Sequence, residues 1–381
     1  MINNESVNLS VGGAGVLIVL PALGAGGTEH VVTDLANHWS CLGHHVTLVT
    51  LETPDAKPYY KLDSRVDIVR LEVPPIRASK LGAAYLVLKR LRALRAAIKR
   101  VAPNVIVSFL TRTNVITLLA TRGLDIPVVV SERNNPDLQP FGSAWKWLRA
   151  QLYPKAFGLV TMTRGSLEYF PKKMRSRGWV IANAIELPAN WQRKRGGNQL
   201  VAVGRLTDQK GFDLLLQAFA RIAPKFPEWT LLIWGEGEDR KKLEAQRDGL
   251  GLRDRVKMPG VTSKPGVWIE TADAFVLSSR YEGWGIVLLE AMAAELPVVS
   301  FDCEWGPRDM ISHGHDGLLV PLGDIESLAN CLSDILGDGR LREKLAANAL
   351  ITAQRFNPAR IMADWDGVIG TALESKAVTT E

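Results

Sequence analysis

Cysteine and histidine are scarce in this chain of 381 residues, with three of the first and six of the second. Cys41, Cys303 and Cys331 share no CxxC or metal-ligand spacing. That pattern argues against a disulfide framework or a zinc site and reads as reduced thiols of a cytosolic protein. Long apolar runs are missing too. The stretch VLIVLPALGAG is too short to cross a bilayer, and MINNESVNLS lacks the basic region of a signal peptide. Any membrane contact is therefore expected to be peripheral. There is no short-period repeat, and no RNP-like aromatic segment, helix-turn-helix or zinc pattern. Nucleic acid is thus a poor partner, although the formal charge of +6 and a pI near 9.2 favour anions such as phosphates or acidic lipid surfaces.

What is present is the pattern of a globular α/β protein. The length suggests two domains of roughly 150 to 200 residues. Short β-branched runs alternate with helical patterns, as in βα units on a parallel sheet. In the first half VLIVLPAL, HVTLVTLE, VDIVRLE, NVIVSFL and IPVVVSE read as strands. TEHVVTDLANHWSCLG reads as a helix with Thr28 as N-cap and Gly43 as its stop. WQRKRGGNQL, residues 191–200, is charged, lacks an apolar period and reads as a linker. The alternation then restarts with LVAVGRL, WTLLIWGEG, RVKMPG, AFVLSS, PVVSFD and GLLVP. The expected organisation is one domain over 1–190, a second over 197–360, and a terminal helix over 361–381 packing back towards the first. Two doubly wound domains facing each other across a cleft would bind ligands beyond the carboxyl ends of their strands.

Four stretches can carry chemistry there. In LPALGAGGTEHVV, Gly24, Gly26 and Gly27 follow a strand and open a helix, where amides and the helix dipole favour an anion. Glu29 breaks a G-x-G-x-x-G fingerprint, yet Glu52 stands where an NAD ribose would be held, so an NAD-dependent oxidoreductase is an alternative reading. In VGRLTDQKG, Arg205 and Lys210 flank a strand-to-helix loop and read either as solvated charges or as a diphosphate clamp. In SSRYEGWGIVLLEAMA, Glu282 precedes a helix beginning near Gly285 and Glu290 lies about one and a half turns in. Amides from Gly283 to Ile286 suit phosphate or sugar oxygens, and Glu290 suits a ribose diol. ADWDGV offers Asp364 and Asp366, but within a helical pattern, so both read as a solvated face rather than a metal-binding Asp-x-Asp.

Taken together, GRLTDQKG, SSRYEGWGIVLLEAMAAELPVVSFD and GPRDMISHGHDGLLVPLGD closely resemble the retaining glycosyltransferases of family 4, and the likeness runs over nearly the whole chain. VVVSERNNPD looks like the subgroup that builds bacterial surface polysaccharides and lipid-linked oligosaccharides. The resemblance implies the GT-B fold, two Rossmann-like domains facing across a cleft, and transfer of a hexose or N-acetylhexosamine from a UDP-sugar with no metal or other cofactor. It implies that Arg205 and Lys210 hold the donor diphosphate and that Glu290 binds the ribose. Glu282, with the amides of Gly283, Trp284, Gly285 and Ile286, would position the sugar, and Gly26 and Gly27 would close on the diphosphate. Many relatives carry a histidine at the end of a first-domain strand. Here SERNN stands in its place, and Glu132 or Arg133 is expected to take over its contact with the donor. IANAIE also matches the family, with Asn183 read as structural.

KLGAAYLVLKRLRALRAAIKR, residues 80–100, places Leu81, Tyr85, Leu88, Leu91, Leu94 and Ile98 at helical spacing. Lys89, Arg92, Arg95 and Lys99 lie beside that stripe. The helix reads as a surface helix with a solvated basic face, or as a peripheral membrane contact and track for a polyprenyl-diphosphate-linked acceptor at the cytoplasmic face of the membrane. Trp145 and Trp147 could anchor at the interface or simply pack.

Overall fold

A computed structural model describes residues 13–73, 80–138, 142–185, 187, 191, 196–262 and 266–377. Residues 192–195 of the expected linker, and the Leu81 side chain, lie outside the described residues. The chain divides into two compact units: Met1–Arg133 with Gln139–Ile181 and Met362–Glu381, and Asn134–Leu138 with Ala182–Ile361.

The first unit is built on seven strands: β1 (Gly15–Val19), β2 (His45–Thr50), β3 (Asp67–Arg70), β4 (Val105–Phe109), β5 (Val128–Ser131), β6 (Gly158–Thr161) and β7 (Gly178–Val180). Every pair is parallel, in the order β3-β2-β1-β4-β5-β6-β7. β1, β2, β4 and β5 are buried almost throughout, which explains their unbroken Val, Ile and Leu runs. β6 and β7 are not anticipated by the sequence. Each opens on a glycine that a neighbour requires: a Cβ on Gly158 would fall 2.2 Å from the Trp179 ring, and one on Gly178 would fall 2.5 Å from Leu167.

The second unit holds β8 (Gln199–Val203), β9 (Thr230–Trp234), β10 (Val256–Gly260), β11 (Ala274–Leu277), β12 (Val298–Phe301) and β13 (Leu318–Val320). They form a parallel sheet ordered β10-β9-β8-β11-β12-β13. Helix Phe212–Ile222 buries Phe212, Leu215, Leu216, Phe219 and Ile222 against it. That spacing is one helical face. In both sheets the strand order reverses beside the first strand, between β1 and β4 and between β8 and β11. Loops leave a doubly wound sheet in opposite directions at such a point and open a binding crevice.

Two local readings need correction. Helix Gly27–Cys41 is preceded by Gly26 as its N-cap, not Thr28. Asp366 is not on a solvated face: in helix Pro358–Ala377 it accepts a hydrogen bond from Trp39 Nε1 at 2.9 Å and pairs with His38 Nε2 at 2.9 Å. Beside it Trp365 is fully buried, with its ring 5.8 Å from Phe109. Asp364, two residues earlier, does face solvent.

Candidate active site

The strand ends flanking the switch point of the second sheet carry the motif residues. After β8 the chain passes Arg205 and forms a single 3-10 turn, Asp208–Lys210, before Gly211 opens the next helix. Gly211 has φ +59, and a Cβ there would lie 2.1 Å from the Ser278 carbonyl oxygen. Only glycine fits this place. After β11 the chain runs through Ser278 and Ser279 to Glu282, and Gly285, at φ +88, caps helix Ile286–Ala293.

The two loops meet through charge. Lys210 Nζ donates to Glu282 Oε1 at 2.6 Å, and Ser279 Oγ donates to the same oxygen at 2.6 Å. The side chains of Lys210 and Glu282 are 15% and 7% exposed. An ion pair this sheltered is held in a fixed geometry, and the ammonium keeps further donors for a ligand. Arg205 is exposed, and it tempers the upward shift that burial gives the Tyr281 hydroxyl, as expected of a neighbouring cation. Among the described residues, the N–H groups of Gly283, Trp284, Gly285 and Ile286 engage no carbonyl or side chain. Those of Gly285 and Ile286 are open donors at the helix N-terminus, and those of Gly283 and Trp284 belong to the loop just before it. Glu290 keeps an outer edge in solvent, but its dense surroundings push its carboxyl up to about 8. Burial also pushes up the Cys303 thiol at the end of β12, and the Glu282 charge adds to the effect.

Several contributors carry too weak a sequence signal to be singled out beforehand. Gly235 and Gly237, in the turn after β9, let two backbones touch: a Cβ on Gly235 would be 1.9 Å from Gly204 O, and one on Gly237 would be 2.3 Å from Leu206 O. Ser279, Arg280 and Asp213 also support the site. The SSR run preceding Glu282 and the GEG turn are the only hints of them in the sequence.

The first unit departs more from expectation. The Glu29 carboxylate folds back over Gly26, where a Cβ would lie 2.2 Å from its Oε2. Glu52 accepts from Leu23 N–H at 3.1 Å and so secures the glycine-bearing loop. Glu132 and Arg133 are core residues, 1% and 8% exposed. Glu132 accepts from Thr111 Oγ1 at 2.9 Å and from the Tyr153 hydroxyl, and burial raises its carboxyl. The Arg133 guanidinium lies over the Phe109 ring at 5.8 Å and is lowered by burial to about 9.

On helix Lys80–Val101 the expected core stripe holds only in its second half. Leu94 and Ile98 are buried, but Tyr85 and Leu88 are 66% and 42% exposed. Lys89, Arg92 and Lys99 face solvent. Arg95 does not join them: its Nη1 donates to Ala120 O at 2.6 Å and Arg122 O at 2.9 Å, closing the end of the neighbouring helix. Trp147 is 63% exposed, whereas Trp145 is half-buried with the Arg112 guanidinium 5.7 Å from its ring.

Comparison with known proteins shows the family. Residues 184–351 match the model of the glycosyl transferases group 1, and residues 26–184 match that of the glycosyl transferase 4-like domain. The chain belongs to the family 4 glycosyltransferases. A Campylobacter jejuni protein named GalNAc-alpha-(1->4)-GalNAc-alpha-(1->3)-diNAcBac-PP-undecaprenol alpha-1,4-N-acetyl-D-galactosaminyltransferase is 28% identical, over 92% of this chain and 96% of its own. The amylovoran biosynthesis glycosyltransferase AmsD of Erwinia amylovora is 25% identical, over 91% of this chain and 96% of its own. The fold is that of sucrose-phosphate synthase from Thermosynechococcus elongatus, with a TM-score of 0.81 at 19% identity, covering 94% of this chain and 99% of that one. Anabaena HepE, solved with UDP and glucose, gives a TM-score of 0.77 at 20% identity over the same shares. The pair of Rossmann-like units is thus the GT-B fold of a glycosyltransferase. Family membership gives no support to the oxidoreductase alternative, and the acid on which that reading rested, Glu52, is spent on the Leu23 amide.

Proposed function

We propose that the chain is a retaining, metal-independent transferase that moves a hexose or N-acetylhexosamine from a UDP-sugar to a glycan carried on a polyprenyl diphosphate. The observation that carries this reading is the Lys210–Glu282 pair, 2.6 Å apart at the ends of two neighbouring strands. Lys210 and Arg205 hold the diphosphate and stabilise the charge that gathers on it as the sugar leaves, the work a metal does in other transferases. Glu290 takes the ribose diol. Glu282, paired with Lys210, accepts from a sugar hydroxyl, while the amides of Gly283 to Ile286 approach sugar or phosphate oxygens. The acceptor hydroxyl attacks the anomeric carbon on the leaving-group face. The bond to the diphosphate oxygen breaks, the glycosidic bond forms, and the hydroxyl proton passes to the departing UDP.

The acceptor class rests on the Campylobacter relative, named for transfer to an undecaprenol-PP glycan, and on the surface of the first unit. Tyr85, Leu88 and Trp147 expose apolar area, with Lys89, Arg92 and Lys99 exposed on the same basic helix as the first two. That chemistry suits the anionic cytoplasmic face of a membrane. No helix among the described residues is long and apolar enough to cross one, and the proposed contact is a peripheral one. A screen of UDP-, GDP- and ADP-sugars for protection against thermal unfolding, followed by turnover on a lipid-linked glycan, tests the proposal. Protection by UDP-sugars with transfer and retained anomeric configuration supports it; protection by another nucleotide class alone overturns it.

A further inference from the structure

The turn that presents Lys210 is held from outside itself. Its three residues, Asp208, Gln209 and Lys210, each offer a backbone carbonyl, and the segment beginning at Ser278 supplies a donor to every one. Arg280 Nη1 donates to Asp208 O at 2.7 Å, Arg280 N–H to Gln209 O at 2.8 Å, and Ser278 Oγ to Lys210 O at 2.9 Å. One bond returns the other way, from Gln209 Nε2 to Tyr281 O at 3.0 Å. A 3-10 turn is short and poorly bonded internally, so such external donors fix its orientation.

Arg280 is itself fixed. Its Nη1 and Nη2 fork onto Asp213 Oδ1 and Oδ2, both at 2.8 Å, from the first turn of helix Phe212–Ile222. A bidentate guanidinium–carboxylate pair is planar and directional, so it sets angle as well as distance. Arg280 and Asp213 are 29% and 24% exposed. The turn, the loop of Glu282 and the next helix therefore converge on one guanidinium. None of the groups proposed to meet the donor takes part in this fork.

We propose that Arg280, oriented by Asp213, is a positioning residue that holds the Lys210 turn in register with Glu282, so that the ammonium meets the diphosphate at a fixed place. This rests on the reading of Lys210 as a diphosphate ligand. It predicts that Arg280 affects nucleotide binding only through Lys210, whereas a general loosening of the domain would act independently of it.

The test is a double-mutant cycle on UDP binding by titration calorimetry, with Arg280→Ala, Lys210→Ala and the two combined in the full chain. Arg280→Ala is expected to weaken UDP about tenfold, and to weaken it less than about twofold once Lys210 is already alanine, a coupling of about 1.0 to 1.4 kcal/mol. Asp213→Asn, which keeps the volume and frees the fork, is expected to act in the same direction by several-fold and serves if Arg280→Ala fails to fold. Equal losses in both backgrounds, or unchanged affinity in Arg280→Ala or Asp213→Asn, overturn the proposal. The two readings fail differently. Wild-type UDP affinity in Lys210→Ala would remove the diphosphate site itself; a Lys210-dependent site that ignores Arg280 and Asp213 would remove only the positioning role.

Discussion

Lys210 and Glu282 stand 72 positions apart in the chain, yet their side chains meet at 2.6 Å with 15% and 7% exposure. Opposite charges are brought together where the strand order of the second sheet reverses. Ligand binding then needs little rearrangement, because the ammonium is already desolvated on one side and aimed.

Substituting Lys210 by alanine is expected to lower kcat by about 100- to 1,000-fold, the usual effect of losing one preorganised charge contact to the leaving group. It also leaves Glu282 sheltered without its partner, which costs roughly 2 to 4 kcal/mol in stability, somewhat less than for a fully dry pair. Adding Glu282→Gln should restore most of the stability and none of the activity. Urea unfolding and initial rates on the wild type and these two variants check this; wild-type rates in Lys210→Ala would show the clamp is misplaced.

Glu290 predicts a pH dependence of definite sign. Its carboxyl is raised from 4.5 to about 8 in the fold, so between those values the folded chain keeps a proton that the unfolded chain has lost. Stability is then lost as pH rises through that window, by a few kcal/mol in total, and Glu290→Gln should remove this part of the slope. A ribose diol donating to the ionised carboxylate favours loss of that proton. UDP binding near pH 7.5 should therefore release a fraction of a proton, read from the buffer dependence of the binding heat and absent in Glu290→Gln. Equal slopes in the two proteins would contradict the assignment.

On the basic helix Arg92 and Lys99 face solvent, whereas Arg95 is half-buried on backbone carbonyls. Reversing Arg92 and Lys99 to Glu should weaken sedimentation with anionic vesicles by about tenfold or more, with the loss reduced at high salt. Trp147→Ser with Tyr85→Ser should weaken it with little salt dependence. Arg95→Ala should instead lower stability and leave vesicle binding intact, because its guanidinium serves the Ala120 and Arg122 carbonyls. Unchanged sedimentation of the first two variants would count against membrane contact.

Asp366 anchors the terminal helix to the first unit through Trp39 and His38. Its replacement by Ala should cost about 1 to 3 kcal/mol in urea unfolding, since it leaves a buried indole N–H without an acceptor. Asp364→Ala, on the exposed side of the same helix, should fall within about 0.5 kcal/mol of wild type. Equal effects would contradict the placement.

The parts of this fold that were legible in the sequence are those where one physical signal dominates. Eleven strands are readable as short runs, most of them apolar because both faces of their sheets are covered; β3 and β10, at the sheet edges, keep exposed positions. β6 and β7 gave too weak a signal because they are only 4 and 3 residues long and each opens on a glycine, required by the Trp179 ring and by Leu167. Arg205, Lys210 and Glu282 stood out in the sequence because charges beside glycines at strand ends suit an anionic or hydroxylated ligand, and Glu290 because a carboxylate on an apolar helix is costly; the structure brings Lys210 and Glu282 together. Their mutual pairing could not, since the 72-residue separation of Lys210 and Glu282 is closed only by strand order. Glu132 and Arg133 looked like site residues, but a strand-end charge can also be drawn into the core, as Tyr153, Thr111 and Phe109 do here. Tyr85 and Leu88 have helical spacing, yet that periodicity does not tell a core from an exposed apolar patch.

The central claim is that Lys210 and its loop grip the diphosphate of a uridine nucleotide. Calorimetric titration of UDP into wild-type protein and into Lys210→Ala, both first shown folded by circular dichroism, tests it most directly. Saturable binding by the wild type that weakens about tenfold or more in the variant is the predicted result. Equal affinity in the two proteins, or no binding by the wild type, would contradict it.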